Sequence, residues 1–166
     1  MPPAIGTADE GRPFVVAYSF RERFIAPITK GLGRELIEGF GAPIPVRADI
    51  SPKRQTIRAI GRRRHARPGE ILQLYYGMRT KQCRSIGVAL CTGVKEIRIS
   101  VEGAKIEILH DIVWHETRTR DGLDEFARND GFSDWADMQS FWRKEHGNLK
   151  HLGPFVGVLI EWEPIR

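Results

Sequence analysis

The apolar residues in the middle of this chain come in short runs of alternating or β-branched character, separated by glycine and proline turns, with no helix-length segment between them. Ile71-Leu72-Gln73-Leu74-Tyr75-Tyr76 reads as a strand, opened by the Arg67-Pro68-Gly69-Glu70 turn and closed by Gly77. Ser85 to Cys91 reads as a second strand. Ile97, Ile99 and Val101 then alternate with Glu96, Arg98 and Ser100, as a half-buried strand requires, and Ile106, Ile108 and Ile112 continue the pattern around Gly103. Parallel neighbours in a sheet need crossovers of roughly a dozen residues or more. Connections this short predict a curled antiparallel sheet or a small β-barrel.

Helices are expected on the flanks, which makes the fold class α+β. Phe14 to Phe20 is a β-type run, and Arg21 to Thr29 reads as a short helix interrupted by Pro27. Gly31 to Asp49 is punctuated by glycine and proline and reads as a loop, with Glu35 to Glu38 able to form a helical turn. Leu123 to Asn129 is a helix closed by Gly131. Ser133 to Glu145 is another, with Ser133 as its N-cap and Asp134 and Asp137 complementing the positive end of its dipole. Trp135, Met138, Phe141 and Trp142 form an apolar stripe at helical spacing, assigned to packing. Val156, Val158, Ile160 and Trp162 share one face of a final strand. Residues 1–13, rich in proline, glycine and charge, are expected to be a flexible tail, and 14–166 one domain, because 41% hydrophobic residues suffice for a single core.

Charge is distributed unevenly. Ser51 to Arg67 holds seven Lys or Arg and no Asp or Glu, and the whole chain has 26 basic against 21 acidic residues. Without that stretch the balance is 19 against 21, so the net charge of +5 comes from one segment. Guanidinium groups packed this densely repel one another and are usually kept beside a polyanion, most often nucleic-acid phosphate. Arg54, Arg58, Arg62, Arg63, Arg64, Arg79 and Lys81 are the candidate phosphate contacts. Tyr75 and Tyr76 alternate across their strand, so one of them, Tyr76, is the candidate for stacking on a base.

Other classes are disfavoured. No apolar run approaches the roughly 18 residues that span a bilayer, and MPPAIGTADEGRP lacks the basic-then-apolar order of a secretion signal, so a cytoplasmic location and no membrane partner are expected. Cys83 and Cys91 lack the spacing of a metal clip and are expected as free thiols. His110 with His115, and His146 with His151, are five apart, which suits neither a helical nor a strand ligand pair. His65 lies inside the basic stretch, where it could hydrogen-bond a ligand or sit at the surface. No metal or cofactor is expected, and the oligomeric state is left open.

Several segments together resemble the ASCH-domain proteins, a branch of the PUA-like superfamily. They are Lys53-Arg54-Gln55-Thr56-Ile57-Arg58, Arg67-Pro68-Gly69-Glu70, Tyr76-Gly77-Met78-Arg79-Thr80-Lys81, Asp130-Gly131-Phe132, Met138, Phe141-Trp142, and Gly157-Val158-Leu159-Ile160-Glu161-Trp162. The resemblance spans most of the chain from Phe14 onward. It implies a small PUA-like antiparallel β-barrel with flanking helices, and a groove beside the lysine motif that takes RNA or a modified nucleotide, with DNA as an alternative partner. The family signature is Gly-x-Lys-x-x-Glu-x-Arg, whereas this chain has Ser51 for the glycine and Thr56 for the glutamate.

Threonine at that place is similar to the bacterial N4-acetylcytidine amidohydrolases, in which a lysine, a threonine and a downstream glutamate carry the chemistry. By that resemblance Lys53, Thr56 and Asp130 are the candidate catalytic residues, with Asp standing where the family has Glu. Thr56 would attack an acyl carbonyl, Lys53 would take its proton if its pKa fell toward neutrality, and Arg58 would steady an oxyanion or a phosphate. On a straight strand Lys53 and Thr56 point to opposite faces, so this chemistry requires a bend between them. Binding of RNA or a nucleotide is the leading expectation, removal of an acyl group from a modified cytidine the alternative, and a ribonuclease the third.

Overall fold

The computed structural model describes residues 14–147 and 153–166. The expected tail over residues 1–13 and His151 lie outside them. The fold is α+β: nine strands, three α-helices and a 3₁₀ turn at Glu22–Phe24 among the described residues. The strands are β1 Val15–Phe20, β2 Leu36–Ile37, β3 Ile44–Pro45, β4 Gln55–Ala59, β5 Ile71–Tyr76, β6 Arg84–Ser100, β7 Lys105–His110, β8 Val113–Thr117 and β9 Phe155–Pro164. The helices are α1 Ile25–Gly31, α2 Arg120–Asn129 and α3 Trp135–His146.

Seven strands make one mixed, mostly antiparallel sheet. Its path runs β1-β5-β6-β7-β8, while β9 pairs with β6 on one side and with β4 on the other. The two central strands expected at 85–91 and 97–101 are one continuous strand, β6. Its register against β9 shifts between Cys91 and Gly93, and this bulge lets the strand bend without breaking. One end of β6 pairs with β5 and the other with β7, so the sheet curls around β6 and β9. β1 runs parallel to β5, with Val15 opposite Ile71 and Phe20 opposite Tyr76. The long excursion between these two strands, which carries α1 and β4, is the crossover that a parallel pair needs.

Two local expectations are corrected. Residues 35–38 make no helical turn; Leu36–Ile37 and Ile44–Pro45 form a small antiparallel ladder, because Gly39 and Gly41 take positive φ and turn the chain back. Asp134, not Ser133, caps α3 by accepting from the Asp137 N–H, and Asp137 in turn accepts from the Ser133 N–H. Pro27 falls within the first turn of α1, where a missing N–H costs little. The core holds Ile97, Ile99, Ile106, Leu72, Leu74, Leu159 and Ile160 from the sheet, capped by Trp135, Met138 and Trp142 of α3 and by Phe24 and Ile28 beside it.

Candidate functional site

The site is organised around Lys53, which precedes β4 and is 2% exposed. Three backbone bonds fix its segment: Lys53 N–H donates to the Pro27 carbonyl (2.8 Å), Arg54 N–H to Asn129 (3.2 Å), and Trp162 N–H to the Arg54 carbonyl (2.9 Å). Two glycines let the chain close this tightly. A Cβ on Gly31 would lie 2.0 Å from the Lys53 carbonyl oxygen, and one on Gly131, whose φ is +88°, would lie 3.1 Å from the Lys53 side chain. Lys53 Nζ donates to the backbone carbonyl of Asp130 (2.6 Å) and to its Oδ1 (2.8 Å), and sits 4.6 Å from the centre of the Phe24 ring.

Asp130 is itself buried, at the turn that closes α2. Burial is the largest influence on both partners, and it pushes the Lys53 ammonium below the ordinary lysine value and the Asp130 carboxyl above the ordinary aspartate value. Their mutual attraction opposes both shifts, while the nearby Arg58 guanidinium lowers Lys53 further. An ammonium has three donors, and Asp130 takes two.

Thr56 and Arg58 alternate with Gln55 and Ile57 along β4 and share a face. Thr56 is buried, and Gln55 on the other side donates Nε2 to the Phe126 carbonyl (3.3 Å). β4 and β1 are each paired on one side only, so they flank an open seam in the curled sheet. Side chains span that seam. Arg58 Nη2 donates to the Ser19 carbonyl (2.8 Å) while its guanidinium lies over Phe20 (4.8 Å) and Tyr18 (5.4 Å). His65 stacks on Tyr18, its Nδ1 is 3.1 Å from the Tyr18 hydroxyl, and its Nε2 is 2.8 Å from the Ala59 carbonyl.

A cavity of about 600 Å³ opens at the seam, and Lys53, Thr56, Arg58 and Asp130 line it together. Its other walls are aromatic: Phe20 and Phe24, Tyr76, Phe132, Phe141 and Trp142 of α3, and Phe155. Gly77, Met78, Thr80 and Gln82 close one side, and the Arg21–Glu145 ion pair (2.8 Å) stands at the cavity with His146. Lys53 lies before the strand begins, outside its strict alternation, and both Lys53 and Thr56 line one cavity.

The remaining basic candidates lie elsewhere. Arg54 Nε donates to the Gly31 carbonyl (3.0 Å) and does not line the cavity. Arg62 and Arg63 are exposed on the loop after β4, and Arg64 pairs with Glu70 (2.7 Å) and stacks over Phe14 (3.9 Å). Arg79 and Lys81 are exposed on the loop after β5, whose Met78, Thr80 and Gln82 line the cavity. Tyr76 lines the cavity and packs on Phe40, whereas Tyr75 donates to Gln73 Oε1 (3.3 Å).

The α3 wall of the cavity lies outside the residues expected from the sequence. Phe141 and Trp142 pack as expected but also face the cavity, and the stripe extends one further turn to His146, whose ring lies tilted against Trp142 (4.8 Å between centres). That extension past the apolar stripe was the available signal. Cys83 and Cys91 are free thiols. Among the described residues no three His, Cys, Asp or Glu side chains gather to hold a metal ion, and no helix is long and apolar enough to cross a membrane. No family model matches the chain, and comparisons with curated proteins and with solved structures find no match either.

Proposed function

We propose that this protein binds RNA or a modified nucleotide by taking one base into the cavity beside Lys53, Thr56 and Arg58. The observation that carries this reading is the coexistence, in one cavity of about 600 Å³, of aromatic walls and a desolvated polar floor. Aromatic faces stack a flat ring whatever its identity, and buried polar groups then select among rings by the hydrogen bonds they offer. The exposed Arg62, Arg63, Arg79 and Lys81 would contact phosphates outside the cavity, adding salt-sensitive affinity without sequence information. On this reading the curled sheet with its open seam corresponds to the PUA-like barrel that the ASCH resemblance implies.

One observation favours the amidohydrolase as a second reading: Lys53, Thr56 and Asp130 line the same cavity. In that chemistry the Thr56 hydroxyl attacks the acyl carbonyl as neutral Lys53 accepts its proton. The amide C–N bond breaks with a proton delivered to the leaving nitrogen from Asp130; water then cleaves the Thr56 ester, its hydroxide joining the acyl carbon and its proton the Thr56 oxygen, and the Lys53 ammonium returns its proton to Asp130. Burial of Lys53 supports the first step by disfavouring the ammonium.

Incubation of the protein and a Thr56→Ala variant with N4-acetylcytidine and with labelled single-stranded RNA, following deacetylation and binding in parallel, tests both readings. Binding without turnover, retained in the variant, is the expected result. Turnover that disappears in the variant would replace the binding reading by the hydrolase. Absence of both binding and turnover would remove both.

A further inference from the structure

The charges around the cavity cancel in pairs at every residue but one. Asp130 neutralises Lys53, and Glu145 neutralises Arg21, each at 2.8 Å. Arg58 lines the same cavity and forms no ion pair among the described residues. Its direct contacts are neutral, the Ser19 carbonyl on Nη2 and the faces of Phe20 and Tyr18, and the carboxylate whose charge reaches it, Asp130, is already paired with Lys53. Its Nε is sealed from solvent with no acceptor at all. A guanidinium stays charged and carries five donors, so the site holds one uncompensated positive charge with most of its hydrogen-bonding capacity unused. A desolvated cation without an ion-pair partner of its own is costly, and a bound anion removes that cost.

We infer that the cavity is built for a ligand that carries an anionic oxygen beside a flat ring, the anion paired with Arg58 and the ring against the aromatic wall. The inference rests on the nucleotide reading above and sharpens it: the preferred ligand is a nucleotide with its phosphate, not a bare nucleoside. Arg58 therefore acts as a specificity determinant, reading the charged end of the ligand while the floor around Thr56 reads the ring.

The test is calorimetric titration of the full chain with the four ribonucleosides, their 5′-monophosphates, and benzoate as a flat carboxylate without a sugar. At least one monophosphate should bind about tenfold to a hundredfold more tightly than its nucleoside, as for a charge-assisted hydrogen bond. Arg58→Gln should erase that preference, and Arg58→Lys should keep part of it. Equal affinity for nucleoside and monophosphate in the unaltered protein overturns the anion assignment and leaves the nucleotide reading standing. Tight benzoate binding with no measurable nucleotide binding keeps the anion assignment and overturns the nucleotide reading. Absence of any binding overturns both. The comparison of ligands in the unaltered protein decides the matter even if Arg58→Gln does not fold.

Discussion

The floor of the cavity and the loop that follows β4 use the same basic residue types in opposite ways. Lys53 is sealed from water, held by two bonds to Asp130 and clamped by backbone from α1 and α2. Arg62 and Arg63, on the loop beyond β4, project into solvent. The sequence shows one uninterrupted basic stretch, yet the chain turns it into a desolvated, geometrically fixed group and a solvated one. A buried charge acts through its partners and its position, and an exposed charge through the summed field of the surface. The contrast assigns selection of the ligand to the floor and long-range attraction to the loop.

The largest way to break the contrast is to remove one member of the buried pair. Lys53→Met should destabilise the protein by about 3–5 kcal/mol in urea unfolding, because Asp130 is left buried without its counter-charge. Adding Asp130→Leu should recover much of the loss, and a double variant no more stable than Lys53→Met would contradict the pairing. The next effect concerns the clamp. Gly31→Ala drives a methyl into the Lys53 carbonyl and should cost about 1–3 kcal/mol, while Gly131→Ala, at φ +88°, should cost about 1–2 kcal/mol. Thermal unfolding of both variants checks this order.

A smaller effect follows from pH at the α3 wall. Burial pushes Asp137 up, but hydrogen bonds from Arg23 and from the Ser133 N–H outweigh it and hold the carboxyl below the ordinary aspartate value. A lowered folded-state pKa gives stability that is complete above the unfolded value of about 3.9 and lost as pH falls through the folded value. Because the pair is partly exposed, the contribution should be at most about 1 kcal/mol. Urea midpoints measured from neutral pH down to acid should therefore fall less steeply in Asp137→Asn than in the unaltered protein, and identical profiles would refute the assignment.

The smallest stability effect belongs to the loop. Arg62→Ser with Arg63→Ser should change stability by no more than about 0.5 kcal/mol per substitution. Adding Arg64→Ser should flatten the salt dependence of RNA binding, and an unchanged slope would exclude the loop as a phosphate-binding surface.

Much of the sheet was legible because period-two alternation depends on nearest neighbours, as in Ile97 to Val101 and Ile71 to Tyr76. Less legible was that 85–91 and 97–101 are one strand, since only pairing with β9 across the Cys91–Gly93 bulge reveals it. The Lys53 motif stood out in the sequence, but its burial did not: that depends on Pro27, Asn129 and Asp130 arriving from distant segments. Arg58 and Arg62 look alike in the chain, and only the position of β1 across the seam separates the charge under Tyr18 and Phe20 from the one in solvent. Phe141 and Trp142 have the spacing of core residues, and the local hint that they also wall a cavity is the continuation of their stripe to His146.

The central claim, that the buried floor and not the basic loop selects the ligand, is tested most directly by amide chemical-shift mapping during titration with a single-stranded RNA oligonucleotide. Saturable shifts at Thr56, Arg58, Met78 and Phe132, with those at Arg62 and Arg63 fading as salt is raised, are the predicted result. Shifts confined to residues 60–67 and 79–81 at every salt concentration would contradict it.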